Sequence, residues 1–412
     1  MGRHDEPELL ASLLQAPDDA QRWQVYGDLL VERGDPRGRA IAIERSGRDD
    51  EQACALLAEA YAEVAASAGL ADAEQRGWTL GWKNGFVERA RFFSERQSAW
   101  WQSHDATGEQ RALEDVLLNP ATQLVRRLEV QFADFDESAD VAAAALASQL
   151  RPRLETLQLG LTEQALAGQQ VAGDPSLGYV IGDGTAVKLR EATPALRELA
   201  LVGTSLLSAA FSHDRVEHFC AATPAIAALH CTWFDGGARE VPFANLHTLS
   251  LAFVDDSGHG EDFPVSMVCA IPPRFFPSVR TLDLTRSSLW DEERDGGMLG
   301  AIAGLELLPQ LDVLATRFWH LAIADADGAP YDDEMLASAS DAFAHLSKLL
   351  VCEPTIDDRL DALRAAMRPP VQVIERPAFV AFPAFEQQPL EAHRLDWRER
   401  RFEARRSSAS DD

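Results

Sequence analysis

The octapeptide PRLETLQL at residues 152–159 decides the fold, because its pattern returns along the chain. Each copy has an apolar residue near its start, a second one, usually Leu, three places later, and a further, usually apolar, position two places after that. The copies that share its leading proline are PALRELAL (194–201), PAIAALHC (224–231), PSVRTLDL (277–284) and PQLDVLAT (309–316). ANLHTLSL (244–251) keeps the frame without the proline, and QLVRRLEV (123–130) and AHLSKLLV (344–351) are weaker copies.

The spacing within each copy favours a β-strand, because its last two apolar positions lie two residues apart and would face the same side. The proline would end a preceding helix and fix how the chain enters the strand. Helix-like stretches at 137–150 and 334–345 lie between copies. This L-x-x-L-x-L core resembles the leucine-rich repeat, whose units stack because none buries its apolar face alone. The sequence therefore predicts an α/β fold, a leucine-rich-repeat solenoid with a curved parallel sheet, helices on its convex side and an N-terminal all-α cap module.

The N-terminal segment is predicted to form three short helices, over residues 6–15, over about 20–33, and from Pro36 onward. Asp18 or Asp19 can N-cap the second helix. Gly34 stands where a helix end needs a left-handed residue, and Asp35 and Pro36 then fit the N-cap and first position of the next helix. The two helices should therefore meet at a fixed angle.

The stretch YGDLLVERGDPRGRAIAIE at residues 26–44 resembles the bacterial repeat-companion domain, which occurs at the N-terminus of leucine-rich-repeat proteins in myxobacteria and planctomycetes. The matching residues are Tyr26, Asp28, Glu32, Arg33, Gly34, Asp35, Pro36, Arg37 and Gly38. The resemblance implies a bacterial repeat protein and no catalytic activity. A recognition site formed by Asp28, Arg33 and Asp35 is the alternative interpretation of these polar residues.

The chain is predicted to have four segments. Residues 1–50 form the helical repeat-companion module, 51–95 a helix and hairpin that bridge and cap, 96–352 the solenoid, and 353–412 a C-terminal cap with a charged tail. An Asn84-Gly85 pair between apolar runs predicts the hairpin turn. Residues 160–190 are glycine-rich and are expected to form a loop or small hairpin.

Composition limits the partners of the protein. Acidic residues outnumber basic ones by 66 to 38, for a formal net charge of −28. Such a surface repels phosphates, so neither nucleic acid nor a membrane is expected as a partner. The N-terminus lacks the apolar region of a signal peptide. Five scattered cysteines without a CxxC pair favour reduced thiols and a cytoplasmic location.

The familiar catalytic motifs are missing from the sequence, including GxSxG, GxxxxGK[ST], HExxH and GxGxxG. No enzyme activity, cofactor or metal is therefore expected. The alternative is a metal-dependent enzyme or regulator built on the acidic loop at 254–264 and His230. That loop carries five side chains able to bind a cation, Asp255, Asp256, His259, Glu261 and Asp262.

The predicted function is protein–protein interaction on the concave face, with a partner and an oligomeric state that the sequence does not name. Side chains between the inward apolar positions should point outward there. Mixed polar groups with aromatic anchors are typical of protein interfaces. The residues predicted to contact the partner are Arg127, Glu129, Gln158, His230, Trp233, Asp283, Arg317 and Trp319. A structural subunit whose acidic surface neutralises a basic assembly is a third possibility.

Overall fold

The computed structural model describes residues 6–16, 18–48, 50–93, 106–132, 139–161, 181, 183–202, 213–222, 243–252, 263–269, 271–285, 287, 289–290, 297–317, 321, 333–352 and 357–374. The strands are β1 Trp78–Lys83, β2 Phe86–Phe93, β3 Arg127–Phe132, β4 Thr156–Leu161, β5 Glu198–Val202, β6 His218–Ala222, β7 Thr248–Ala252, β8 Phe263–Pro264, β9 Thr281–Asp283, β10 Leu289–Trp290, β11 Val313–Arg317, β12 Lys348–Cys352 and β13 Val371–Ile374.

Within these residues one 11-stranded sheet runs in the order β1-β2-β3-β4-β5-β6-β7-β9-β11-β12-β13. The β1–β2 hairpin is antiparallel, and each later pair is parallel. Strands β8 and β10 form a separate parallel pair. The predicted α/β solenoid with a mostly parallel sheet is confirmed.

Within the described residues, a helix lies between most consecutive strands of the large sheet after the hairpin, and these helices supply the second layer. They are Ala106–Leu117, Ala139–Ala147, Asp183–Ala192, Val265–Cys269, Gly297–Ala303, Asp333–Phe343 and Asp357–Ala366. Their buried residues, such as Leu146 and Leu189, join the inward strand residues Leu157 and Leu199 in one core. Full burial of one such leucine contributes about 1.5–3 kcal/mol, so the stacked strands hold each other together through this shared core.

A four-residue turn precedes each repeat strand. The N–H of the first apolar residue donates to the carbonyl three residues earlier, as from Leu154 to Arg151 at 3.2 Å and from Leu346 to Phe343 at 2.9 Å. The prolines at 152, 194, 277 and 309 occupy the second position of this turn, where their fixed φ fits. The proline thus acts by shaping a turn, in addition to ending a helix.

A backbone ladder then connects the repeats just ahead of the strands. The N–H of Glu155 donates to the carbonyl of Arg126 at 2.9 Å, and the N–H of Arg197 donates to that of Glu155 at 2.8 Å. The same bond recurs at every later repeat as far as Ser347, whose N–H donates to Asp312 at 2.8 Å. Each repeat is therefore locked to the previous one in a single register.

One repeat strand was not predicted. The strand between β5 and β7 is β6, and the copy predicted at 224–231 lies outside the described residues. The frame of β6 begins at Val216 and continues through the inward Phe219 and Ala221, which are all buried. The β6 segment has neither the proline nor a leucine, so the sequence pattern missed it. Its inward positions are nevertheless apolar, which is what packing in the core requires.

The glycine-rich interval at 160–190 was also predicted incorrectly in part. Its end belongs to the helix Asp183–Ala192, which packs against the helix Ala139–Ala147. Ala186 and Leu189 face the core there, and this burial outweighs the low helix propensity of Gly184. Residues 162–180 lie outside the described part of the chain.

The N-terminal helices are α1 Glu6–Gln15, α2 Ala20–Glu32, α3 Pro36–Arg45 and α4 Glu51–Ser67. The predicted caps are confirmed: Asp19 and Asp35 accept N–H bonds at the starts of α2 and α3, and Gly34 has a φ of 72°. The hairpin turn is confirmed as well, with Asn84 and Gly85 both at positive φ. The segment boundaries at residues 50, 95 and 352 remain predictions.

The C-terminal segment is described as far as residue 374. It contains the helix Asp357–Ala366 and β13, which is the last strand in the order of the sheet. The charged tail beyond residue 374 lies outside the described residues. None of the described helices combines the length and the apolar character that a membrane crossing requires.

Candidate functional site

The concave face is formed by the strand residues that point away from the helices. Its middle row follows directly from the strand register, because residues in register on neighbouring strands face the same side. From one end to the other the row is Arg91, Glu129, Gln158, Ala200, Cys220, Ser250, Asp283, Ala315, Leu350 and Gln372. Two further rows lie two residues before and two residues after it.

Five of the predicted partner-binding residues lie on this face as expected. They are Arg127, Glu129, Gln158, Asp283 and Arg317. The other three, His230, Trp233 and Trp319, lie outside the described residues, as do positions 254–262 of the acidic loop. The described part of the site is therefore a row of side chains along one sheet face, and not a single pocket.

Burial divides the concave face into two halves. Glu129 is 6% exposed, and Gln158 is 1% exposed. Ala200 and Cys220 next to them are buried as well. The expectation that Glu129 and Gln158 contact a partner is corrected here, because side chains this deeply covered offer no contact area. Alternation along a strand predicts which side a residue faces, but not how deeply its neighbours cover it.

Several polar side chains of the buried half form hydrogen bonds or ion pairs with one another. Glu129 pairs with Arg91 at 3.1 Å, and burial raises the pKa of Glu129 while Arg91 opposes that shift. The hydroxyl of Thr156 donates to Glu198 at 2.8 Å. These contacts connect neighbouring repeats, so they stabilise the sheet.

The accessible half runs from Ser250 to Gln372, although Ala315 within it is buried. Asp283 is half-buried, and one of its carboxylate oxygens accepts bonds from the N–H and hydroxyl of Thr285 at 2.9 and 2.7 Å. Its other oxygen accepts a longer bond from the Ser250 hydroxyl at 3.4 Å. Arg317 and Leu350 are also half-buried, and Gln372 is exposed. This half presents fixed polar groups beside apolar area, which is the composition of a protein interface.

No group of three or more His, Cys, Asp or Glu side chains suited to a metal ion occurs among the residues that the structure describes. His213 is a buried side chain in a turn. Its Nε2 bonds the carbonyl of Thr193 at 3.0 Å, and its Nδ1 accepts the N–H of Arg215 at 3.3 Å. His213 is thus used structurally.

The N-terminal motif residues form an internal network. Arg37 pairs with Asp35 at 2.6 Å and with Glu6 at 2.7 Å, and its guanidinium lies 5.5 Å from the ring centre of Phe86 in β2. Arg33 pairs with Glu6 at 2.8 Å. The alternative recognition site at Asp28, Arg33 and Asp35 is therefore not preferred, because two of its members already hold α1, α2 and α3 together.

Sequence reasoning missed a column of alternating charge beside the concave face. It follows the backbone ladder and consists of Glu88, Arg126, Glu155, Arg197 and Glu217. Arg126 lies 2.8 Å from Glu155, and Arg197 lies 3.8 Å from Glu217. Aligning the residue that follows the first apolar position of each repeat would have revealed it.

No protein-family model matches the chain, and no curated protein matches it. The crystal structure of the leucine-rich repeat-containing protein LegL7 from Legionella pneumophila is similar, with a TM-score of 0.38 and 13% sequence identity. The match covers 74% of this chain and 89% of that one.

Proposed function

We propose that this protein is a non-catalytic scaffold that binds another protein through the accessible half of its concave face. The observation that carries the proposal is the part of the concave face from Ser250 to Gln372, where Asp283, Leu350 and the flanking Arg317 stay accessible on a continuous sheet. Because the sheet holds these groups in place before binding, a partner can bind without a loss of conformational entropy at each strand. His230, Trp233 and Trp319 are proposed as further contacts.

The finer assignments belong to the same proposal. The N-terminal helices are assigned to the repeat-companion type through the motif at 26–44, which supports a bacterial leucine-rich-repeat protein. A cytoplasmic location is supported by the cysteines, since the four in the described part of the chain form no disulfide. The charge of −28 supports a partner other than nucleic acid or membrane.

Alanine variants test the surface. Trp233→Ala, Arg317→Ala and Trp319→Ala should each weaken capture of the partner while leaving the melting temperature unchanged, because truncating an interface anchor costs binding energy and not core packing. Arg364→Ala, on the helix Asp357–Ala366, is the matched control and should bind normally. If all three variants capture the partner as the natural chain does, the concave-face assignment is wrong.

The metal-dependent alternative concerns the acidic loop at 254–264. Its five potential ligands are the observation in its favour. Elemental analysis of the purified protein separates the two functions, because a stoichiometric divalent ion is expected for the metal-dependent enzyme or regulator and none for the scaffold.

A further inference from the structure

The charge column beside the concave face is electrically balanced, although the whole chain is strongly acidic. Two arginines and two glutamates alternate in its central part, and they are Arg126, Glu155, Arg197 and Glu217. Their side chains are between 36% and 65% exposed. The formal net charge of the chain is −28, so two copies of it repel each other in general. The column is a strip where a second copy can approach against less repulsion, because the charges within it cancel.

The backbone fixes the spacing of these charges. The N–H of Glu155 donates to the carbonyl of Arg126 at 2.9 Å, and the N–H of Arg197 donates to that of Glu155 at 2.8 Å. The N–H of Glu217 continues the series to Arg197 at 2.8 Å. Because neighbouring strands lie about 4.8 Å apart, opposite charges follow one another at that interval. A matching partner needs the complementary charges at the same interval, and a second copy of this chain necessarily has it.

A two-fold axis between Glu155 and Arg197 makes the column complementary to itself. Such an axis reverses the direction of the column in the second copy, as in an isologous dimer. Glu155 of each copy then lies opposite Arg197 of the other, and Arg126 of each copy lies opposite Glu217 of the other. Each charge keeps its neighbour of opposite sign within the chain, as Arg126 does with Glu155 at 2.8 Å, and gains a second one across the interface.

We propose that this chain forms a symmetric dimer through the charge column, with the two columns antiparallel. Exposed ion pairs are individually weak and are screened by salt, so the dimer forms at high protein concentration and dissociates on dilution or at high ionic strength. The inference does not depend on the proposed function, because none of the four column residues belongs to the accessible half of the concave face.

Two single charge reversals test this arrangement. Arg197→Glu brings acidic side chains opposite each other at the axis, and Glu155→Arg brings basic ones together there. Each substitution acts twice because of the symmetry. Analytical ultracentrifugation of the full chain at low ionic strength should show a reversible monomer–dimer equilibrium for the natural protein. Each variant should dimerise at least about tenfold more weakly, because like charges placed opposite each other in an interface are costly.

A mixture of the two variants is the most specific experiment. Between an Arg197→Glu chain and a Glu155→Arg chain, both positions at the axis again join opposite charges. A mixed dimer should therefore form at least as tightly as the natural one. Arg364→Glu, on the helix Asp357–Ala366, changes the net charge as much as Arg197→Glu does but at an exposed position away from the column. It is the control and should dimerise as the natural chain does.

A melting curve shows whether each variant is folded. If a single variant does not fold, the double variant Glu155→Arg/Arg197→Glu replaces it, and this variant should dimerise because opposite charges face each other again at the axis. A natural chain that stays monomeric at every concentration would overturn the inference. A mixture that stays monomeric, or an equal loss of dimer in the Arg364→Glu control, would overturn it as well.

Discussion

At the residue scale, the position that opens the turn before each strand is the most informative. It is at most 3% exposed in the eight repeats that the structure describes. Its chemistry changes along the chain, from polar in the first four repeats to apolar in the last four. In order, its residues are Thr122, Arg151, Thr193, His213, Phe243, Phe276, Leu308 and Phe343. The polar members bond backbone carbonyls of the preceding repeat or helix, whereas the apolar members pack in the core.

Arg151 caps a helix from within the core. It donates to the carbonyls of Leu117, at the end of a helix, and Thr122, the latter at 2.8 Å. Burial lowers the pKa of Arg151 to about 10, so it stays charged at neutral pH. We expect Arg151→Met to lower the free energy of unfolding by roughly 1–3 kcal/mol, because both carbonyls lose their donor in a dry site.

Urea denaturation measures this effect. Arg197→Met, at an exposed arginine, is the control and should change the free energy of unfolding by less than about 0.5 kcal/mol. An Arg151→Met variant as stable as the natural chain would show that relief from burying the charge offsets the lost bonds.

His213 makes stability depend on pH. Burial lowers its pKa, although its bond to Thr193 and the charge of Asp214 oppose the shift, and Arg190 and Arg215 add to it. The folded chain therefore binds fewer protons at His213 than the unfolded chain just below the ordinary value of about 6.5. Stability from this group is complete above that pH and falls as the pH drops toward the folded-state value.

The variant His213→Gln isolates this contribution, because a glutamine amide can still donate to Thr193 but does not titrate. The urea midpoint of unfolding is measured at pH 7.5 and at pH 5.5. The decrease from pH 7.5 to pH 5.5 should be larger for the natural chain than for the variant. An identical drop in both proteins would remove His213 as the cause.

At the scale of the element, the sequence predicted most strands and helices because apolar spacing reports burial directly. Prolines marked the turns before β4, β5, β9 and β11. Strand β6 was not predicted because Phe219 and Ala221 stand where the pattern has leucines. The burial of Glu129 and Gln158 was not predicted, because it depends on packing between neighbouring repeats. The sequence of a single strand does not encode that packing.

Gly160 shows how closely two of these elements approach. Its φ is +127°, and a Cβ there would lie 1.8 Å from the carbonyl oxygen of Val202 in β5. Gly160→Ala should therefore lower the free energy of unfolding by more than about 2 kcal/mol, since either the pairing of β4 with β5 or the backbone must shift.

The matched control for this substitution is Gly300→Ala in the helix Gly297–Ala303, where a Cβ meets no atom within 4 Å. That change should raise stability by roughly 0.5–1 kcal/mol, because alanine favours the helix. Thermal unfolding of the two variants decides the matter. Equal melting temperatures would contradict the close approach at Gly160.

At the scale of the whole molecule, the N-terminal helices and the sheet share contacts that make them continuous. Phe86 of β2 packs with Trp23 and Tyr26 of α2. Glu44 of α3 accepts the N–H of Asn84 at 2.6 Å and the hydroxyl of Tyr61. The N-terminal helices, which carry the motif that resembles the repeat-companion domain, thus form a cap that is joined to the first hairpin at one end of the solenoid.

The central claim is that a partner lies against the accessible half of the concave face. Site-specific photo-crosslinking tests it most directly, with a benzophenone side chain placed at Arg317 on β11 or, as the control, at Arg364 on the helix Asp357–Ala366. The account predicts that one partner protein is crosslinked from position 317 and not from position 364. Crosslinking of the same partner from position 364 alone would contradict it.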